Sequence, residues 1–279
     1  MRMFIKCWGS RGSIPVSGKQ YLKYGGDTTC IQVVAKSGET VIIDAGTGIR
    51  QLGATLDPVD TVYMLLTHAH WDHVAGFPFF KPLFNSNKVV EIQNTTFSGL
   101  SVKEIFKTLM SPPLFPITQE DLTADVRFRD DFTGSFSIGS LKIDSIPLSH
   151  PNGAFGFRLT EGNKRFIFLT DNELGLDHPG SAGFDDYISF ARGADLMFHD
   201  AEFTPDEYPQ RIGWGHSTYT EALELAIKAG VKRLGLFHLN QDRTDKEMDR
   251  IQADCRSRIK SSNAVLDCFA VACNMEFTL

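Results

Sequence analysis

Six apolar runs in this chain end in a titratable side chain: Val41-Ile42-Ile43-Asp44, Leu65-Leu66-Thr67-His68, Ile146-Pro147-Leu148-Ser149-His150, Phe166-Ile167-Phe168-Leu169-Thr170-Asp171, Leu196-Met197-Phe198-His199-Asp200 and Leu234-Gly235-Leu236-Phe237-His238. Short apolar runs of this kind read as buried sheet strands. If they lie side by side, their terminal His and Asp side chains gather along one sheet edge, where layered α/β folds carry their sites. The chain can fill such a fold, since 42% of its 279 residues are hydrophobic and a protein of this length buries about three quarters of its unfolded surface.

The pieces between these runs alternate in type. Met3–Trp8, Thr29–Ala35 and Thr40–Asp44 read as a strand meander, the last two joined by the turn Lys36-Ser37-Gly38-Glu39. Helical spacing follows at Thr218–Ala229, where Ala222, Leu225, Ala226 and Ala229 share a face and Gly230 supplies the stop. A second helix is predicted over Asp245–Ile259, with Met248, Ile251, Cys255 and Ile259 on one stripe, before a final apolar run at Ala264–Val271. No repeat or long polar linker divides the chain, so residues 1–279 are expected to form a single α/β domain.

Composition excludes several function classes. With 28 basic and 34 acidic side chains the net charge is −6, which disfavours a broad face for extended nucleic acid but not a small anionic substrate. There is no run of 18 apolar residues and no signal-like amino terminus, so neither a membrane span nor secretion is expected. Five scattered cysteines without a C-x-x-C pair fit reduced thiols in a cytoplasmic protein.

The chemistry is concentrated in His68-Ala69-His70-Trp71-Asp72-His73, which holds three of the eight histidines in six residues. On an extended segment His68 and His70 project to the same side and can grip one ion. Asp72 and His73 follow a turn into a helix and can face a neighbouring ion. Nitrogen and oxygen donors without thiolate suit zinc, manganese or iron in a hydrolytic site.

This His-x-His-x-Asp-His block after an apolar strand resembles the metallo-β-lactamase superfamily, and His150, Asp171 and His238 follow at the matching later positions. The resemblance implies a four-layer αββα sandwich, two facing mixed sheets flanked by helices, with a dinuclear metal site at one edge. It implies two divalent ions, zinc first and manganese or iron as alternatives. His68, His70 and His150 would hold one, Asp72, His73 and His238 the other, and Asp171 would bridge them. Asp44 matches the supporting aspartate behind the ligands. An oxygen bridge at Asp171 departs from the thiolate common in the lactam-cleaving branch and suits phosphoryl transfer between paired metals.

The blocks His199-Asp200-Ala201-Glu202-Phe203 and Gly215-His216-Ser217-Thr218 are similar to those of the ribonuclease Z and phosphodiesterase branch, where an acid orients the histidine that assists at the phosphate. That implies a catalytic group of Asp72, His216 and Asp200, with His199 in support. Glu202 stands where the branch has threonine, and which of Asp200 and Glu202 partners His216 stays open. Lone His178 reads as a surface turn residue. Ribonuclease Z proper inserts a transfer-RNA-gripping arm between the third histidine and the bridging aspartate, whereas 20 residues separate His150 and Asp171 here, enough for a hairpin.

The expected activity is therefore hydrolysis of a small phosphodiester, a cyclic nucleotide among the candidates, by a hydroxide held between the ions while His216 assists the leaving group. Carboxyl-ester, thioester or lactone hydrolysis is the first alternative, RNA processing the second, and a non-enzymatic ligand-sensing or scaffold domain the third. Arg11, Asn152 and Arg158 are candidate substrate contacts, with Trp214 beside them. The stretch 95–128, with a helix expected at Ser101–Met110 and an apolar loop after it, is expected to form a lid, a pocket wall or a homodimer contact.

Overall fold

The computed structural model describes residues 2–56, 61–93, 95–130 and 134–279. Its first sheet contains β1 (Phe4–Gly9), β2 (Cys30–Val34), β3 (Thr40–Ile43), β4 (Thr61–Leu65) and β5 (Val89–Gln93). A two-stranded hairpin of β6 (Thr96–Phe97) and β7 (Leu100–Ser101) precedes β8 (Asp125–Arg129), which closes that sheet at one side. The second sheet holds β9 (Ser135–Ile138), β10 (Leu141–Leu148), β11 (Ala154–Glu161), β12 (Lys164–Leu169), β13 (Leu196–Asp200), β14 (Arg233–Phe237) and β15 (Asp267–Ala270). The last strand, β16 (Glu276–Thr278), returns to pair with β1, so the first sheet runs β16-β1-β2-β3-β4-β5-β8.

Both sheets are mixed. The meander β1–β2–β3 is antiparallel, as the turn-rich first quarter predicts, and β3–β4–β5–β8 is parallel. The second sheet is antiparallel from β9 to β12 and parallel from β12 to β15. Parallel neighbours need crossovers, and these are the α-helices α1 (Ile49–Thr55), α2 (Trp71–Val74), α3 (Val102–Leu109), α4 (Phe184–Ala191), α5 (Tyr219–Ala229) and α6 (Asp245–Ser262). The helices predicted over Thr218–Ala229 and Asp245–Ile259 are α5 and α6, and the one expected at Ser101–Met110 is α3. Thr218 and Thr244 start α5 and α6 with capping boxes, and Gly230 ends α5 in the left-handed conformation.

Three buried clusters fix the layer order. Ile5, Ile31, Val33 and Ile43 of the first sheet meet Ile143, Phe157, Phe168 and Phe198 of the second in a core between the sheets. Leu223, Leu225, Met248 and Cys255 pack α5 and α6 on the outer face of the second sheet. Leu52, Phe77, Val102 and Phe106 cover the outer face of the first. The result is the αββα sandwich. Parallel strands point the same way, so the ends of β3, β4, β12, β13 and β14 bring their polar terminal residues to one edge of the sandwich.

The stretch 95–128 is packed into the fold at the outer face of the first sheet. Val102, Phe106 and Met110 are fully buried, Phe106 stacks on Phe77 with ring centroids 3.6 Å apart, and β8 belongs to the first sheet. Its amphipathic helix is a layer of the core. The run at Ala264–Val271 is likewise shorter as a strand than its composition suggests, since Val265 is solvent-exposed. Among the described residues no helix is long and apolar enough to cross a membrane.

Candidate metal centre

His68 and His70 leave β4 on an extended segment, and His70 caps the short helix α2 that carries Asp72 and His73. His150 lies in the turn after β10, Asp171 just beyond β12, and His238 at the end of β14. Asp44, Asp171 and His238 all adopt left-handed backbone, with φ of 64°, 59° and 54°. Such conformations cost free energy in non-glycine residues and persist where the surrounding fold enforces them, typically at functional sites.

Two clusters share one carboxylate. His68, His70 and His150 bring one ligand atom each into a common group, and Asp72, His73, Asp171 and His238 form a second. Asp171 Oδ1 lies 3.6 Å from His68 Nε2, 4.0 Å from His150 Nε2 and 3.2 Å from His238 Nε2, while its Oδ2 lies 3.2 Å from His73 Nε2. Asp72 Oδ2 is 3.1 Å from His238 Nε2 and 3.2 Å from His73 Nε2.

The imidazoles are aimed by the groups behind them. His73 Nδ1 meets Asp44 Oδ2 at 2.8 Å, His150 Nδ1 meets the Gly215 carbonyl at 2.9 Å, His238 Nδ1 meets Glu202 Oε2 at 2.9 Å, and His68 Nδ1 sits 3.1 Å from Thr67 Oγ1. Each therefore turns Nε2 toward the centre, a division of labour usual for metal-binding histidines. His70 reverses it, presenting Nδ1 at 3.1 Å from His150 Nε2. Thr67 gives both its backbone N–H and its hydroxyl to Asp44, at 2.7 and 2.8 Å. Two glycines make this closeness possible. A Cβ on Gly12 would fall 2.2 Å from His238 Nδ1, and one on Gly215 2.0 Å from His150 Nδ1.

Charge and burial suit the set to cations. Burial pushes His68 and His70 below the usual histidine range and His150 down to about 3, leaving neutral lone pairs. At His73 and His238 burial also opposes the charge, but the carboxylates around them outweigh it and raise both well above the ordinary value. Asp72 and Asp171 are held well below the carboxylate range by those same imidazoles, against the effect of burial. His68 Nε2 and His73 Nε2 are buried without a hydrogen-bond partner, a costly arrangement for polar atoms that a bound cation relieves. Nitrogen and oxygen donors around one shared carboxylate fit two divalent ions.

Beside this set stands His216. Its Nδ1 is 2.7 Å from Asp200 Oδ2, 3.5 Å from Glu202 Oε2 and 3.9 Å from Asp171 Oδ1. Burial disfavours its charged form, yet Glu202 and Asp200 push it up to about 9. The backbone N–H groups of Glu202 and Ser217 each donate to Asp200 Oδ1 at 3.1 Å, so the acid is fixed. The open choice of partner resolves by division: Asp200 holds His216, and Glu202 holds His238 together with Asn240. His199 lies fully buried behind the site, its Nε2 3.2 Å from the Asn172 side chain, whose carbonyl accepts from the Ser149 backbone N–H.

Of the candidate substrate contacts, Asn152 lines a cavity of about 230 Å³ with His68, His70, Phe97, Leu100 and Ile105, so the hairpin and helix of the 95–128 stretch do form a wall beside the site. Arg11 and Arg158 are corrections. Arg11 is 1% exposed and donates through its two terminal nitrogens to the carbonyls of Gly25, Asn240 and Arg243, which makes it a buried strut. Arg158 sits mid-strand on β11, paired with Asp144 at 3.0 Å and lying over the Phe190 ring, away from the strand ends. Sequence reading missed Glu173. This buried carboxylate accepts from the N–H groups of Gly213 and Gly215, both at 2.7 Å, from the Tyr208 hydroxyl, and from the ring of His178, which is therefore half-buried rather than a surface turn residue. The only hint was its position two residues after Asp171.

The chain belongs to the beta-lactamase superfamily, whose domain matches residues 39–239. It is 23% identical to Ribonuclease Z of Lactiplantibacillus plantarum across 86% of this chain and 90% of that protein. In structure it is similar to the metallo-beta-lactamase fold protein YhfI from Bacillus subtilis, at 18% identity, with 99% and 98% of the two chains covered and a TM-score of 0.71. It also resembles unliganded yeast PDE1, at 12% identity, 100% and 99% coverage and a TM-score of 0.69.

Proposed function

We propose that this protein is a cytoplasmic dinuclear metal-dependent phosphodiesterase acting on a small substrate. One observation carries the reading: a carboxylate-held imidazole, His216, stands outside the seven-donor set yet faces the same shared aspartate. His68, His70 and His150 would hold one ion, Asp72, His73 and His238 the other, and Asp171 both. Zinc is the metal most consistent with four Nε2 donors and tight burial. Bound there, two such ions would supply Lewis-acid polarisation of the phosphoryl group and acidify water. The chain itself supplies the proton. Asp200 accepts from His216 Nδ1–H, which leaves Nε2 to protonate the departing oxygen. Asp72 is steadied by the Ser13 backbone N–H at 2.8 Å.

The similarity to a ribonuclease Z over most of its length favours RNA processing as a second reading. Against it, the interval between His150 and Asp171 is filled by the tight hairpin β11–β12, with no arm to grip RNA, and the chain is acidic. Protein of measured metal content would be given bis(p-nitrophenyl) phosphate, the corresponding monoester, a lactone, a β-lactam and a precursor transfer RNA. The diester should turn over at least about 100-fold faster than the others. Faster lactone or RNA cleavage would replace the proposal with that alternative.

The directions of the pKa shifts predict how metal loads. The three-histidine position is already deprotonated near neutrality, whereas His73 and His238 keep protons that an ion must displace. Affinity at the second position should therefore fall steeply as pH drops through neutrality while the first is retained until more acid conditions. Stoichiometry measured by metal analysis from pH 8 to pH 5 should pass from two to one. Simultaneous loss of both ions would contradict this assignment.

A further inference from the structure

The cavity on the His216 side has a floor that the chemistry above does not use. It encloses about 430 Å³ and is lined by Ser13, Trp214, His216, Arg211, Asn240 and Gln241 among others. Trp214 is 58% exposed although it belongs to a rigid turn. Gly213 and Gly215 flank it with φ of 86° and 89°, and both their N–H groups are tied to the buried carboxylate of Glu173. Through the Gly215 carbonyl the same turn holds His150. An aromatic ring is thus presented to the cavity on a support joined to the metal centre. Arg211 lies with its guanidinium 4.7 Å from the centroid of the Trp214 ring. Its only hydrogen bond among the described residues is to the Gln210 carbonyl, at 3.3 Å, so most of its donors are uncommitted.

The geometry points to Trp214 and Arg211 as a stacking platform for a planar heteroaromatic ring of the nucleobase class, carried by the substrate. With Arg211 against one face and more than half the residue exposed, the indole offers its free face to a ring. Gln241 adds an amide to the wall of the same cavity, its Nε2 3.4 Å from Asp242 Oδ2, whereas Asn240 is committed at both ends, its Nδ2 donating to Glu202 and its Oδ1 accepting from the Asp242 N–H. The volume accommodates a nucleoside rather than a polymer. Stacking of a base on an aromatic side chain is worth about 1–3 kcal/mol, roughly 5- to 150-fold. The proposal deepens the phosphodiesterase reading and rests on it only for the bond that is cleaved.

Binding and turnover test it separately. Metal-loaded wild type, Trp214→Ala and Trp214→Phe would be titrated with AMP and with ribose 5-phosphate. They would also be assayed on adenosine 2′,3′-cyclic phosphate and on methyl riboside 2,3-cyclic phosphate, which lacks the base. Wild type should favour the base-bearing member of each pair roughly 5- to 150-fold. Trp214→Ala should bring both ratios near one, and Trp214→Phe should keep most of the preference. Trp214 is exposed, so neither variant removes core packing. Equal binding of AMP and ribose 5-phosphate by wild type, or ratios unchanged in Trp214→Ala, would overturn the platform. Ring preference in binding that Trp214→Ala abolishes, without cleavage of either cyclic phosphate, would uphold the platform and overturn the phosphodiesterase reading instead.

Discussion

Replacing Asp171 with alanine is expected to cut metal content from two ions to at most one and to lower hydrolysis by at least about 10³-fold. Among the described residues Asp171 is the side chain that faces both clusters, with one oxygen toward His68, His150 and His238 and the other toward His73. Four imidazoles lose their common anion when it is removed. His73 and His238 then lose the carboxylate that most favours their charge or ranks next to Asp72 in doing so, and the mutual repulsion of ions at the two positions goes unscreened. The rate figure corresponds to the several kcal/mol that Lewis-acid catalysis supplies. Alanine is strained at a φ of 59°, so Asp171→Asn, which tolerates that backbone, separates loss of charge from loss of fold. Metal analysis and kcat/KM on both variants, with circular dichroism as the folding control, decide the matter. Wild-type turnover by a variant holding one ion would remove Asp171 from its proposed role.

The edge of the site was legible because strand endings are local. Asp44, His68, His150, Asp171 and His238 each close an apolar run, and a parallel or antiparallel register only has to bring those ends to one side. The helices α5 and α6 were legible for the same reason, each having its cap, its stripe and its stop within a few residues. What depended on long-range pairing was not. Nothing near Asp125–Arg129 says that this half-exposed run is the edge strand of the first sheet, so the packing of the segment before it as a layer was not legible. Arg11 and Arg158 misled because an arginine near glycines or on a strand looks available. Burial of Arg11 against three carbonyls from residues 25, 240 and 243 is a property of chain closure that no window contains. Glu173 escaped for the same reason: its partners Gly213 and Gly215 lie 40 and 42 residues downstream.

His216→Ala should leave both ions in place yet slow the enzyme according to what must leave. His216 Nδ1 is committed to Asp200, and against the opposing effect of burial the carboxylates of Glu202 and Asp200 keep a proton on the ring up to about pH 9 among the protein groups alone. Such an acid matters most when the departing oxygen is basic. For an alcohol or ribose leaving group the loss should reach about 10²–10⁴-fold in kcat, the usual worth of a positioned proton donor. For p-nitrophenolate, which needs little protonation, it should stay near tenfold. Asp200→Asn keeps the ring in place without the anion that favours its charge, so it should show the same leaving-group dependence in weaker form. The sign of the pH effect follows: wild-type kcat on alkyl diesters falls as pH rises through the His216 pKa, and the variant lacks that limb. KM should change little, because the ring acts on developing charge rather than on ground-state binding. A uniform loss across leaving groups, or metal content that drops with the ring, would make His216 a structural or ligating group. Unchanged turnover of alkyl diesters would remove it from the chemistry altogether.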